Sequence, residues 1–198
     1  MHRNRSTQIN MKAKLKNITT TQSGIYEKNH PDGDILYLQV SDFKNGKELN
    51  NELKPAIINN ERVEKFILQD KDLLFAAKGT SNFCVMYRLG KEKAVASSSF
   101  FVIRILNNNI DPEYICWFLN NPQTLNYLKA HAVGTSIPSI TKTMLEDLEI
   151  SIIPLEKQRM IVAYHNLQNR EVELHTLIAQ KKRLLTDHIL YNVTNKTK

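Results

Sequence analysis

Residues 155–190 read LEKQRMIVAYHNLQNREVELHTLIAQKKRLLTDHIL, and no glycine or proline occurs between Leu155 and Lys198. Proline suits the start of a helix and breaks its interior, while glycine weakens the interior, so Pro154 followed by this run predicts one long helix. At about 1.5 Å per residue, a helix over 156–190 is roughly 52 Å long. Steps of four and three from Met160 pass through Tyr164, Leu167, Glu171, Leu174, Ile178, Lys181, Leu185 and His188, and six of the nine are apolar. That spacing is a coiled-coil seam with polar interruptions. Such a helix exceeds the mean of about 11–12 residues threefold and is hard to bury on a domain this small, so a partner helix is expected. The partner is another copy or another protein; an amphipathic helix lying on its own domain is the alternative.

Upstream, the apolar run Ile150–Ile153 is preceded by three short helical signals. Asp111-Pro112-Glu113 combines an N-cap, a proline at the first helical position and an acid in the first turn, so a helix through about Asn120 should bury Ile115, Phe118 and Leu119. A second helix opens at Pro122 and runs to about 130, closed by the Gly134-Thr135-Ser136 loop, and a third lies near 142–148. The first hundred residues read differently. Strand-like runs occur at 35–40, 65–68, 73–77, 83–88 and 94–105, punctuated by the turn Pro31-Asp32-Gly33-Asp34 and by Gly79 and Gly90, with a polar stretch from 41 to 60.

Composition limits what such a chain can do. Its 198 residues suit one domain plus an extended element. No apolar run approaches the roughly 20 residues that cross a bilayer, and the first ten residues lack the apolar stretch of a signal peptide. Cys84 and Cys116, 32 positions apart, have no metal-ligand spacing and read as small hydrophobes in a reducing cytoplasm. Of the net charge of +7, residues 1–16 supply +5 through Arg3, Arg5, Lys12, Lys14 and Lys16. They read as a basic terminus, with a phosphate-contacting arm as the functional alternative.

Chemistry is hard to find. The sequence has no glycine-rich phosphate cradle, no His-Glu-x-x-His and no Gly-x-Ser-x-Gly, and its six histidines are scattered singly. Asn121-Pro122-Gln123-Thr124 lacks the second proline and the aromatic residue of an adenine methyltransferase loop, and reads as a helix start. Pro31-Asp32, followed by Asp42-Phe43-Lys44 or Glu52-Leu53-Lys54, has the carboxylate and lysine types with which nucleases hold Mg²⁺ and activate water. A metal-dependent nuclease is therefore the enzyme-class alternative, although Pro31-Asp32-Gly33-Asp34 is also an ordinary turn.

A resemblance enters at residues 72–80, Asp72-Leu73-Leu74-Phe75-Ala76-Ala77-Lys78-Gly79-Thr80, which is similar to the Gly-Asp-Ile-Leu and Gly-Thr segment of type I restriction-modification specificity subunits. Here Lys71 stands where glycine is usual. Other segments resemble the family in the same order: Ile35–Leu49, Ser97–Arg104, Asp111–Tyr114, Gly134–Ile140, and Ile150–Ile153 running into Pro154-Leu155-Glu156-Lys157-Gln158. The likeness covers nearly everything after residue 14.

The resemblance implies an α/β protein of the α+β type: a basic tail over 1–14, a target recognition domain over 15–153 with mixed short strands and small helices, a long coiled-coil-forming helix over 154–192, and a tail over 193–198. It implies a DNA sequence-specificity subunit, without enzymatic activity or cofactor, that binds half of a bipartite target and directs a methyltransferase, with or without an endonuclease subunit. Full-length members carry two such units, whereas this sequence shows no internal repeat. A homodimer with antiparallel helices is therefore expected, reading a split palindrome because operator symmetry mirrors protein symmetry. Lysine and arginine suit guanine and phosphate, and asparagine suits adenine. The candidate DNA contacts are Lys78, Thr80, Ser81, Asn82 and Arg88, with Thr135 and Ser136 in a second loop. Leu167, Leu174, Ile178 and Leu185 are the candidate dimerisation residues. A specificity-like interaction protein without DNA binding remains the third alternative.

Overall fold

The segment Leu73-Leu74-Phe75-Ala76 has no polar side chain, so a strand there must be covered on both faces, and all four residues are buried. This computed structural model describes residues 11–46, 48–50, 52–134 and 137–195. Along the chain the strands and helices are β1 (Met11–Lys14), β2 (Thr19–Ser23), β3 (Leu36–Leu38), β4 (Phe43–Lys44), β5 (Glu48–Leu49), α1 (Glu61–Glu64), β6 (Leu73–Ala76), β7 (Cys84–Met86), β8 (Ala94–Ala96) and β9 (Phe100–Ile105). Four helices and a strand follow: α2 (Pro112–Asn120), α3 (Pro122–Ala130), α4 (Lys142–Glu146), β10 (Glu149–Ile152) and α5 (Leu155–Asn195).

The main sheet is antiparallel, in the order β2-β9-β6-β7. β3 pairs in parallel with β8, β4 and β5 form a small hairpin, and β1 pairs antiparallel with β10. One core, with Leu74, Phe100 and Val102 at its centre, lies between the sheet and the β3–β5 region; a second gathers Ile25, Ile35, Ile57, Val63 and Val95. Strand β7 is a sheet edge, and edges need their free backbone groups occupied. The side chain of Asn120, the last residue of α2, does this from both sides: its Oδ1 accepts from Cys84 N at 2.8 Å and its Nδ2 donates to Cys84 O at 2.7 Å.

The helix starts follow their caps. Asp111, Asn121 and Thr141 accept hydrogen bonds from the backbone N–H groups of Glu113, Gln123 and Met144. In α2, Ile115 and Leu119 are buried as expected, but Phe118 is only half-buried. Tyr114 takes the inward position, donating its hydroxyl to Ser151 O at 3.0 Å.

Several segments differ from the sequence reading. The expected strand at 65–68 is absent as a named strand, because Asn60 accepts from Arg62 N and Val63 N and nucleates α1, leaving Ile67 a single bridge to Val95. The run 94–105 divides into β8 and β9 at Ser97–Ser99, where Phe100 N donates back to Ser97 O at 2.9 Å. The polar stretch 41–60 contains the β4–β5 hairpin.

Residues 11–14 of the expected basic tail form β1, and their charges have partners. Lys14 and Lys16 both bond Asp147 Oδ1, at 3.0 and 2.9 Å, and Lys12 lies 3.8 Å from Glu149. The two ammonium groups hold the Asp147 carboxyl below its ordinary pKa, with Lys16 the larger cause, and Asp147 in turn raises that of Lys16. The rest of that tail, including Arg3 and Arg5, lies outside the described residues.

The chain divides into two units after Gln158, five residues beyond the expected boundary after 153. The reason is Gln158 itself, which is fully buried: its Oε1 accepts from Asp111 N at 2.8 Å, and its Nε2 donates to Asn109 O and Ile153 O at 3.0 and 2.7 Å. The first turn of α5 therefore belongs to the strand-containing unit. The second unit is the remainder of α5, which continues to Asn195, three residues past the expected end at 192. Every residue from Glu171 to Asn195 is exposed. Among the described residues no helix is long and apolar enough to cross a membrane.

Candidate nucleic-acid interface

Lys78, Thr80, Ser81 and Asn82 occupy the loop that joins β6 to β7. Its base is held by Ala76 N donating to Phe83 O at 2.8 Å and Ala77 N donating to Ser99 O at 2.9 Å. Gly79 takes a positive φ of 84°, which glycine enters without steric cost. At the tip, Lys78, Thr80 and Ser81 are exposed. Asn82 is half-buried and donates its Nδ2 to Ala76 O at 3.0 Å, so its side chain braces the loop.

The segment 133–140 is hydrogen-bonded to this loop although more than fifty positions separate them. Gly79 N donates to Pro138 O and Ile140 N to Ala77 O, both at 2.9 Å, and Lys78 bridges Ser139. Val133 and Ser139 exchange two backbone bonds, closing the second segment on itself. Gly134 has φ 110°, and a Cβ there would meet Ile137 O at 2.8 Å, so only glycine fits. Thr135 and Ser136 lie outside the described residues. Their neighbours Val133 and Ile137 are exposed at 61% and 67%, placing two bare apolar side chains beside the Lys78 loop.

Arg88 is elsewhere. The register pairs Leu73 with Met86, so Arg88 lies past the opposite end of the hairpin, roughly 20 Å from Asn82 at about 3.3 Å per residue. Its guanidinium binds Glu113 of α2 at 2.7 Å, with both side chains partly exposed. At the same end Arg104 forks onto the buried carboxylate of Asp72 with two bonds of 2.7 Å, which raises the arginine's pKa further. The structure thus brings Lys78, Thr80 and Ser81 together with the 133–140 loop, and separates Arg88 from them.

The family resemblance set a strand and turn over Ile35–Leu49 with Gly46, but sequence reading left the β4–β5 hairpin itself unassigned. Asn45 and Gly46 have φ 53° and 65°, and a Cβ on Gly46 would sit 2.8 Å from the Phe83 ring, so this turn rests against the start of β7, beside exposed Lys44. The dipeptide Asn45-Gly46 between Phe43 and Leu49 is the hairpin signal that could have located it.

The carboxylates weighed for a nuclease have local duties or none. Asp42 accepts from Gln39 N at 2.7 Å, and Asp32 is an exposed turn residue 3.9 Å from His30. Among the described residues no three His, Cys, Asp or Glu side chains are grouped to hold a metal ion. Burial pushes the Cys84 thiol well up, reinforced by the neighbouring Cys116, which fits the inert hydrophobic role. What the loop pair offers is hydrogen-bonding and cationic contact: one ammonium, two hydroxyls and two apolar tips on a rigid base.

The chain thus combines a strand-containing unit whose 77–83 and 133–140 segments are hydrogen-bonded to one another with a long helix that exposes an apolar stripe. The chain belongs to the type I restriction modification DNA specificity domain family, which matches residues 11–185. The specificity subunit of the type I restriction enzyme MjaVIII from Methanocaldococcus jannaschii is 31% identical over 98 residues, half of this chain and 22% of that subunit. Among solved structures, the S subunit of a type I restriction-modification system from M. genitalium superposes with a TM-score of 0.54 at 15% identity, covering 87% of this chain and 42% of that one. The HsdS subunit from Thermoanaerobacter tengcongensis gives 0.57 at 16% identity, over 87% and 40%. A chain from a study of type I R-M complex assembly and conformational transition gives 0.59 at 17%, over 87% and 42%. These share the α/β fold with its long helix, and this chain spans about two fifths of their length.

Proposed function

We propose that this chain is a non-enzymatic DNA-reading subunit of a cytoplasmic type I restriction-modification system. Its strand-containing unit contacts one half of a bipartite target, and its long helix pairs two copies and offers its remaining surface to a methyltransferase subunit, with or without an endonuclease. The observation that carries this reading is the coupling of the Lys78–Ser81 loop to the 133–140 loop in a chain of the specificity family. Backbone hydrogen bonds hold the Lys78–Ser81 loop against Pro138–Ile140, so its polar side chains are presented from a preorganised base, and groups held in place lose less entropy on binding.

Lys78 is assigned to phosphate or guanine and Thr80 and Ser81 to base edges or phosphate, with Thr135 and Ser136, outside the described residues, assigned further contacts from their sequence alone. Asn82 supports the loop from within. Arg88 contributes only by releasing Glu113, an exposed pair whose rearrangement costs little. Leu167, Leu174, Ile178 and Leu185 form the dimer seam. Leu177, Leu184 and Tyr191 recur at seven-residue steps on a different face of the same helix and are exposed at 49%, 62% and 68%, which leaves apolar surface for a second partner.

The test is selection of binding sites from a randomised duplex pool, with and without a methyltransferase subunit of a type I system. A split palindrome is the expected selected sequence. Lys78→Ala should then weaken binding across sequences and reduce the slope of log affinity against log salt by about 1 if the contact is to phosphate, while Thr80→Ala and Ser81→Ala should relax preference at individual bases. No selection in either mixture, or no change in all three variants, overturns the assignment.

A further inference from the structure

The second unit is a helix whose exposed apolar side chains include Met160, Tyr164, Leu167, Leu174, Ile178 and Leu185. With 3.6 residues per turn they fall in a stripe roughly 80° wide. Two charges, Glu171 and Lys181, interrupt it at seam positions. In heptad terms Tyr164, Glu171, Ile178 and Leu185 take the a positions, and Met160, Leu167, Leu174, Lys181 and His188 the d positions. The order of these residues has a symmetry. Leu174 and Ile178 lie equally far on either side of position 176, as do Glu171 and Lys181, Leu167 and Leu185, and Tyr164 and His188. In each pair one member is an a residue and the other a d residue.

That arrangement, with Glu171 and Lys181 as counterparts, is complementary to a second copy of the same helix in one geometry. Two antiparallel helices pack a residues of one against d residues of the other, so a second copy reversed about position 176 meets each of these eight residues with its symmetric counterpart. Leu174 then faces Ile178, and Leu167 faces Leu185. The two interrupting charges meet as Glu171 against Lys181, twice, once on each side of the two-fold axis. A parallel pair in register would instead put Glu171 on Glu171 and Lys181 on Lys181. Sliding the antiparallel pair by one heptad puts Lys181 against Tyr164 or Ile178, and Glu171 against Leu174 or His188. Polar groups at seam positions are a known device for fixing register at a cost in stability.

We infer that the helix docks a second copy of this chain antiparallel in a register centred on Thr176, and that the Glu171–Lys181 pair is the element that specifies it. Within the single chain Glu171 lies 3.9 Å from His175 Nε2 on its own helix, a long contact that the partner's lysine replaces. The register also sets a length: the two Gln158 residues lie roughly 54 Å apart along the helix pair, at about 1.5 Å per residue over 36 positions. The inference rests on the homodimer in the proposed function, whose antiparallel pairing the family resemblance already implies, and adds its register and the residues that determine it.

The experiment is charge exchange in the full chain, read as the dimer dissociation constant by sedimentation equilibrium. Glu171→Lys and Lys181→Glu should each weaken the dimer at least tenfold, because each places like charges in both polar layers. The double exchange, Glu171→Lys with Lys181→Glu, should restore affinity to within about threefold of the original protein. Circular dichroism confirms that the helix persists in each variant, both positions being exposed in the single chain. In a parallel dimer the single exchanges would merely replace one like pair by another, so a dimer indifferent to them overturns the register, as does a double exchange that fails to restore; either result leaves the homodimer standing. A chain that stays monomeric at high concentration overturns both the register and the homodimer.

Discussion

At the residue scale, the largest effects belong to groups buried with their partners. Asp72 is 1% exposed, and its carboxylate is neutralised by the fork of Arg104 while also accepting from Gln69 N. Removing one member of such a pair leaves a buried charge uncompensated, so Arg104→Leu should lower unfolding free energy by about 3 kcal/mol, read from urea titration. An unchanged midpoint would mean that water reaches Asp72. Gln158 uses both ends of its amide on three backbone groups, and Gln158→Leu should cost about 2 kcal/mol in the same measurement. Lys71 makes the opposite case. Its φ of 68° lies in the left-handed region, where a side chain costs about 1–2 kcal/mol and glycine costs far less. That is the physical reason glycine is usual at this place in the family pattern, and Lys71→Gly should stabilise the chain by about 1 kcal/mol, with a higher thermal midpoint.

At the element scale, β1 and β10 are joined by four residue pairs and by the convergence of Lys14 and Lys16 on Asp147. Because the folded chain holds Asp147 below its unfolded pKa, the stabilisation is fully present above the ordinary carboxylate range near pH 4 and is lost as pH falls through the lowered value. Comparing thermal midpoints of the protein and Asp147→Asn should show a constant gap at neutral pH that closes on acidification below about pH 4. A gap independent of pH down to 2 would mean that the contact acts through packing. The same element shows why the amino-terminal lysines read as a tail: their partners lie some 130 positions away, and periodicity within β1 carries no trace of them. By contrast α2 and α3 were legible, since an N-cap and a proline at the first turn act within a few residues of each other.

At the scale of the whole molecule, the exposed stripe of α5 is the surface through which the proposed function pairs two copies. Replacing both Leu174 and Ile178 by Glu puts charge in the central layers of the proposed pair. Light scattering should then return the monomer mass, while circular dichroism of the strand-containing unit stays unchanged. A persisting dimer would place the contact elsewhere, with Leu177, Leu184 and Tyr191 the next surface to alter.

The long helix and the strands at 36–38, 73–76 and 84–86 were readable from residue order alone, because helix continuity and strand composition are local properties of the chain. So was the family, through short segments in a fixed order. The tertiary structure alone decided which loops share a surface and which cations remain available. It joined 77–83 to 133–140 through backbone bonds that any side chain could accompany, turned Asn82 inward as a brace, and gave Arg88 to Glu113 and three amino-terminal lysines to Asp147 and Glu149. Those assignments depend on where distant segments meet in space, and backbone hydrogen bonding between them leaves no pattern in the side chains from which it could be read.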